Sequence, residues 1–493
     1  MKQTERPAFH RNQRPVPPDR RPPPRKAAPV ARVEKRDPAK SPDVVTFMIR
    51  AMVYEVWVVG ITGIAVTILL FVALGSGITD LYLQFRGVAP VSEKVAQVTI
   101  GEEALYLWDP SMPDPDVTPR GLLAEVVRFL DQAGARVIVL DILLDRPAAD
   151  DALLAEAARR HGAVVAAERY ILTEPATKLQ FQPGLVGVYD GAVSGGFANL
   201  HLQTTILSQD LLVRGTPLVK RVTRARVEGH WPANIVGAMQ DDGAIVPSMA
   251  LAAAWMFRQR EQGLSARLVD FEHQLHQHCT GRPLRCDLEL SKVGLPDAPI
   301  RLDEVLPINF RAPEHSDPIP TIRAADILRV AGQSALMRQL DPSIEVDVPE
   351  AYRAVLKDKL VVVGRAGFDE TGDRFITPFG FPAYLEADMA GVRVQAQIID
   401  TLLSGRHIRM FHGIGAWVVA AGLFGVVVVT FRRTTDRVHV TSWAATATGL
   451  VFFGAALFRI SDGIAFDTGP PVAGILTGLL WTHIRAWANE MMS

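Results

Sequence analysis

The sequence predicts an α/β domain with a largely parallel sheet, held outside the cytoplasm and joined to four transmembrane α-helices, one before it and three after. Two observations carry the fold class. Between about residues 80 and 408, short β-branched runs alternate with stretches of helical period, the pattern of a buried parallel sheet covered by helices. Elsewhere, four stretches stay apolar for about 20 residues, the length that crosses a bilayer. A chain of 493 residues, 48% of them hydrophobic, has room for such separate modules.

Taken in order, residues 1–50 carry thirteen Lys or Arg against five Asp or Glu, with Pro17-Pro18 and Pro22–Pro24 set among Arg pairs. Almost nothing apolar recurs there at a regular period, so this segment reads as a disordered tail. Its charge suits anionic lipid headgroups, and its prolines suit a polyproline dock for a cytoplasmic partner. No folded motif points to nucleic acid. The first span covers residues 54–76 and is too long for a signal-peptide core, so it is an uncleaved anchor.

In the external region Val95–Ile100 reads as a strand. Pro119–Gln132 reads as a helix, because Leu122, Leu123, Val126, Val127 and Leu130 share one face. Val137–Leu140 is a second strand, ending in Asp141. Asp150–Arg160 is a helix whose acidic start and basic end suit the helix dipole. Val164–Ala167, Leu218–Val222 and Ile308–Phe310 read as further strands, and Pro247–Arg260 as a helix. The β-branched run Leu360–Val363 ends at Gly364 in a loop rich in Gly and Asp, and the amphipathic stretch Met389–Leu403 leads towards the second span.

The remaining spans cover residues 412–431, 439–459 and 470–487, with residues 488–493 as a short end. Arg432, Arg433 and Arg437 follow the second span, and Asp462 and Asp467 lie between the third and fourth. The positive-inside rule then puts both termini in the cytoplasm and residues from about 78 to 408 outside. Gly474 and Gly478 sit at a spacing that lets helix backbones approach closely, within one bundle or between two copies in a homo-oligomer.

The closing block of the external region resembles the CHASE2 family, extracytoplasmic sensory domains of bacterial receptors. The resemblance rests on Gly364, Gly372–Phe375, Thr377–Phe379, Gly391–Val392 and Asp400–Gly405. Looser matches run in the same order upstream: Gly134–Val137 with Asp141–Leu144, Asp151–Glu156, Gly162–Ala166, Pro247–Leu251 and Ile308–Pro313. Together they cover roughly residues 80–408. The chain departs from the family pattern at Arg365-Ala366, at Thr99–Glu103, and at Arg393-Val394-Gln395, where the family carries Glu-x-His. The resemblance implies a multi-pass sensor in a bacterial inner membrane that detects a ligand or partner outside. Such receptors usually continue into a kinase or cyclase, whereas Ser493 follows Trp487 by only six residues. Output is therefore expected from a separate cytoplasmic or membrane protein. The alternative is an envelope scaffold whose external domain and basic tail bind other proteins.

Carboxyl ends of strands are where open α/β sheets place ligands. Arg365, Asp369, Asp373 and Arg374 there form a charged set suited to a small anionic or zwitterionic ligand. The bland reading is a tight turn in which Asp373 pairs with an Arg to hold the domain together. Asp141, with Asp145 beyond it, and Asn309 occupy analogous rim positions. Cys279 and Cys286 are the two cysteines. An oxidising compartment favours a disulfide between them, while unpaired thiols remain an alternative. A zinc site with His273, His276 and His278 is a weaker one, because their spacing matches no ligand set. The sequence has no Gly-x-Ser-x-Gly elbow, no phosphate loop and no His-Glu-x-x-His. No catalytic residue, cofactor or metal is assigned.

Overall fold

A computed structural model describes residues 80–111, 117–173, 178–182, 187–203, 212–222, 227–228, 244–279, 305–340, 347–366, 373–380, 389–411 and 464–466. Ser291, Leu295, Ile475, Gly478 and Leu479 are also described, and positions 81, 85, 145 and 199 are not. The strands are β1 (Val95–Ile100), β2 (Val137–Leu143), β3 (Val164–Thr173), β4 (Lys178–Gln182), β5 (Ser194–Phe197) and β6 (His201–Gln203). They continue with β7 (Leu212–Pro217), β8 (Val219–Val222), β9 (Val227–Glu228), β10 (Ala244–Pro247), β11 (Val305–Pro307) and β12 (Thr321–Arg323). The last are β13 (Leu360–Arg365), β14 (Arg374–Phe375), β15 (Met389–Ala390), β16 (Arg409–Phe411) and β17 (Ile464–Phe466). The helices are α1 (Glu102–Trp108), α2 (Arg120–Gln132), α3 (Asp151–His161), α4 (Met249–Glu261), α5 (Leu268–Cys279), α6 (Ala324–Leu340), α7 (Glu350–Leu356) and α8 (Gly391–Ser404).

The main sheet has the order β12-β1-β13-β2-β3-β4-β9, with β5 also on β3. The β12-β1-β13-β2-β3 run and the β5 pairing are parallel; β4 joins β3 antiparallel. Period-two alternation sorts the strand residues into two cores. Val95, Val137, Val139, Val165, Ala167, Leu360 and Val362 pack with α4, α5 and α8 on one face. Ala96, Val98, Ile138, Leu140, Val164, Val361 and Val363 pack with α2, α3 and α7 on the other.

The helix ends follow local chemistry. Ser248 caps α4 by accepting from the Leu251 N–H at 3.2 Å. Gly162 and Gly405 stop α3 and α8 in the left-handed conformation, at φ 74° and 70°. One expected strand is absent. Ile308–Phe310 follows β11 in irregular conformation: the Ile308 N–H still donates to the Arg214 carbonyl of β7 at 2.9 Å, but the fully buried Asn309 and Arg311 side chains bond to the Arg406 carbonyl and to Asp400.

Among the described residues no helix is long and apolar enough to cross a membrane. The four expected spans lie outside the described residues except at Ile475, Gly478 and Leu479; Gly474 and the basic tail also lie outside them.

Candidate functional site

The strand β13, late in the chain, is inserted between β1 and β2. The helices that follow β1 and β2 pack on one face of the sheet, whereas α8, next after β13, packs on the other. Chain direction therefore diverges at the carboxyl end of β13, the kind of place where open α/β sheets bind ligands. Residue pairing fixes what stands at that edge: Asp141 lies opposite Gly364, and Ile100 opposite Arg365.

Two glycines allow α8 to start hard against this edge. A Cβ at Gly364 would stand 2.8 Å from the Val392 Cβ and 3.1 Å from that of Asp141. A Cβ at Gly391 would stand 2.5 Å from the Asp373 Oδ1. The Gly391 N–H donates to the Asp373 carbonyl at 2.9 Å, so Asp373 is pinned at the amino end of the 14-residue α8. Asp141 and Asp373 thus flank the first turn of α8, whose amino end favours negative charge.

Electrostatics tie the group together. Burial, and then the neighbouring Asp373 charge, push the Asp141 carboxyl well above the ordinary carboxylate range. Burial raises Asp373 to about 6, against the pull of Arg365. Arg365 is half-buried, with its Nε enclosed and unbonded. Two carboxyls reluctant to ionise and one guanidinium with a spare donor can bind a small polar molecule carrying both an amine and an acceptor group.

Of the residues singled out in the sequence, Asp141, Arg365 and Asp373 come together. Arg374 turns away: its Nη2 donates to Glu314 at 3.0 Å, and Glu314 also accepts from the Ala390 N–H at 3.3 Å. Asn309 is fully buried elsewhere, bonded to the Arg86 guanidinium and donating to the Arg406 carbonyl at 2.5 Å. Asp369 and Asp145 lie outside the described residues. So does Cys286, while Cys279 ends α5, so the disulfide falls outside them as well. Among the described residues no group of three or more His, Cys, Asp or Glu could hold a metal ion.

The family-divergent pair near the start of α8 is structural. The Arg393 Nε lies 3.3 Å from the Glu314 carboxylate, and the Gln395 Nε2 donates to the Ala198 carbonyl at 3.0 Å. Sequence reading passed over Glu314, whose role appears only when three remote cation and amide donors converge on it. It also passed over the contacts that join both ends of the domain, buried at Arg311 and Asp400 and exposed at Arg406. Arg311 Nε donates to Asp400 at 2.9 Å, Asp400 accepts from the Ser92 N–H at 2.7 Å, and the Arg406 side chain reaches the Pro90 carbonyl at 3.3 Å. Arg214 holds the fully buried Asp80 through Nη2 at 2.7 Å.

No curated protein and no solved structure matches the chain. A family model described as the CHASE2 domain matches residues 56–430, most of the sequence. With its α/β fold and parallel sheet, the chain belongs to the CHASE2 family of extracytoplasmic sensory domains.

Proposed function

We propose that this protein is a membrane-anchored extracytoplasmic sensor that takes a small zwitterionic or amine-bearing ligand between Asp141, Arg365 and Asp373 and passes occupancy along α8 to the membrane. The observation that carries this reading is the gathering of Asp141, Arg365 and Asp373 at the carboxyl edge of β13. That edge lies where chain direction diverges, it sets two carboxyls that burial holds back from ionising beside the Arg365 guanidinium, and α8 begins there. From there α8 runs to Ser404, a few residues before the expected second span. The parallel pairing of β16 with β17 supports the four-span topology. That topology puts residues 409–411 and 464–466 on the same, external side. Signal then leaves through a cytoplasmic or membrane partner, for which the basic tail is a docking candidate.

The test is a thermal-shift screen of the full chain in detergent or nanodiscs against amino acids, polyamines and hydroxy acids, repeated on Arg365→Ala and Asp373→Asn. A ligand that raises the melting temperature of the wild type and of neither variant supports the site. A ligand that stabilises all three equally removes the assignment, and a stoichiometric protein complex indifferent to every small molecule favours the scaffold instead.

A further inference from the structure

Glu168 lies near the carboxyl end of β3 and is only 6% exposed. Its carboxyl occupies the space where a Cβ at Gly195 would stand, so the Gly195-Gly196 pair of β5 makes its berth, with Gly196 admitting the start of α4 at Met249. Among the described residues no donor or cation reaches that carboxyl. The charge that bears on it is a second acid, Glu272 of α5, half-buried and next in sequence to the core residue Phe271. Phe271 stacks on Trp255 of α4 at 4.8 Å, which ties α5 to the same core that covers β3.

An unpartnered buried carboxylate is costly, so such a group holds its proton. Among the described residues the surrounding elements bring no compensation. The β5 and β10 strands carry no titratable side chain. On α4, Arg258 and Arg260 are committed at the opposite end of the strands, to Leu403, Arg136 and His161 carbonyls. Lys220 of β8 lies over the Phe197 ring at 5.1 Å. On α5, His273 is exposed and bonded to Gln277, and His276 stands one turn past Glu272 with its Nδ1 enclosed and unbonded.

We propose that Glu168 and Glu272 form a proton-operated latch, which seats α5 on the sheet while both are neutral and loosens it when both are charged. Its connection to the rest of the sensor is direct. The Glu168 carbonyl accepts from the Ala198 N–H at 2.9 Å, and the Ala198 carbonyl accepts from Gln395 of α8. Movement of α5 and the end of β3 therefore reaches the helix that leads to the membrane. The direction of the pH effect follows from burial, which raises Glu168 to about 8 and Glu272 to about 7 from an ordinary 4.5. Folded-state values above the unfolded ones mean that the seated form is favoured at low pH and loses its advantage as pH rises through 7 and 8.

The experiment is hydrogen exchange on the full chain in nanodiscs at pH 6 and pH 9, corrected for intrinsic exchange, for wild type, Glu168→Gln and Glu272→Gln. Wild-type protection over residues 268–279 should fall about tenfold or more at pH 9, since each unit beyond a pKa shifts the equilibrium about tenfold. The two glutamine variants mimic the neutral state and should keep their protection at pH 9, which also separates the carboxyls from His276. Wild-type protection that is unchanged between pH 6 and 9 overturns the latch whether or not the variants fold. So does a pH-dependent loss that persists in both variants.

Discussion

The buried pair Arg311–Asp400 ties α8 to the segment before β1 through the Ser92 N–H, and Asp400→Ala tests it. Both side chains are fully buried, with Arg311 Nε 2.9 Å from one Asp400 oxygen and the Ser92 N–H 2.7 Å from the other. Truncation takes the carboxylate away from the guanidinium, which keeps the Ser404 hydroxyl at 3.0 Å among its partners, and removes the acceptor of the Ser92 N–H. Removing one partner of a buried ion pair costs about 3–5 kcal/mol. A domain of roughly 330 residues has an unfolding entropy near 0.7 kcal/mol/K, so about 4 kcal/mol lowers the melting temperature by about 6 °C. Scanning calorimetry of the purified chain reads this directly. The double variant Arg311→Met/Asp400→Leu should recover most of the loss, because it removes the uncompensated charge. A drop of less than about 1 °C for Asp400→Ala, or a double variant as low as the two singles summed, refutes the reasoning.

Gly364→Ala should cost about 1–3 kcal/mol, since its Cβ meets the Val392 branch at 2.8 Å; a partial rescue by Val392→Ala in thermal unfolding confirms the cause. Asp373 titrates near 6 in the fold against an ordinary 3.8, so its protonated form stabilises the native state below about pH 4 and that contribution is lost as pH rises through 6. Denaturant unfolding should therefore show Asp373→Asn gaining on the wild type between pH 4.5 and 7.5, and a constant difference speaks against the raised value. Arg374→Ala should lose about 1 kcal/mol or less, because its pair with Glu314 is partly exposed, and ligand stabilisation should survive it.

Local pattern made much of this molecule readable. The β-branched runs of β1, β2 and β13 and the apolar faces of α2 and α8 each place their own side chains, since both faces of the sheet are buried and period two or 3.6 shows directly. What stayed hidden depends on distant partners. Nothing in Leu360–Arg365 says that it enters between β1 and β2, yet that insertion sets Gly364 opposite Asp141. Asn309 reads as a rim residue because it falls within its own short strand-like run, by analogy with Asp141. Its role as an internal tie needs Arg86 and Arg406, which lie far from it in the chain. Arg374 and Asp373 are adjacent in sequence but extended backbone sends them to opposite partners, Glu314 and the start of α8. The Glu168–Glu272 pair gives no sequence signal, because an isolated Glu reads as a surface residue until burial is known.

The most direct test of the account is hydrogen exchange over Gly391–Ser404 in the full chain, with and without a ligand selected by its dependence on Arg365 and Asp373. Ligand is expected to change protection along α8 and at Asn309–Arg311, where α8 is tied to the segment that precedes β1. Ligand-induced changes confined to other elements, with α8 unaltered, contradict it.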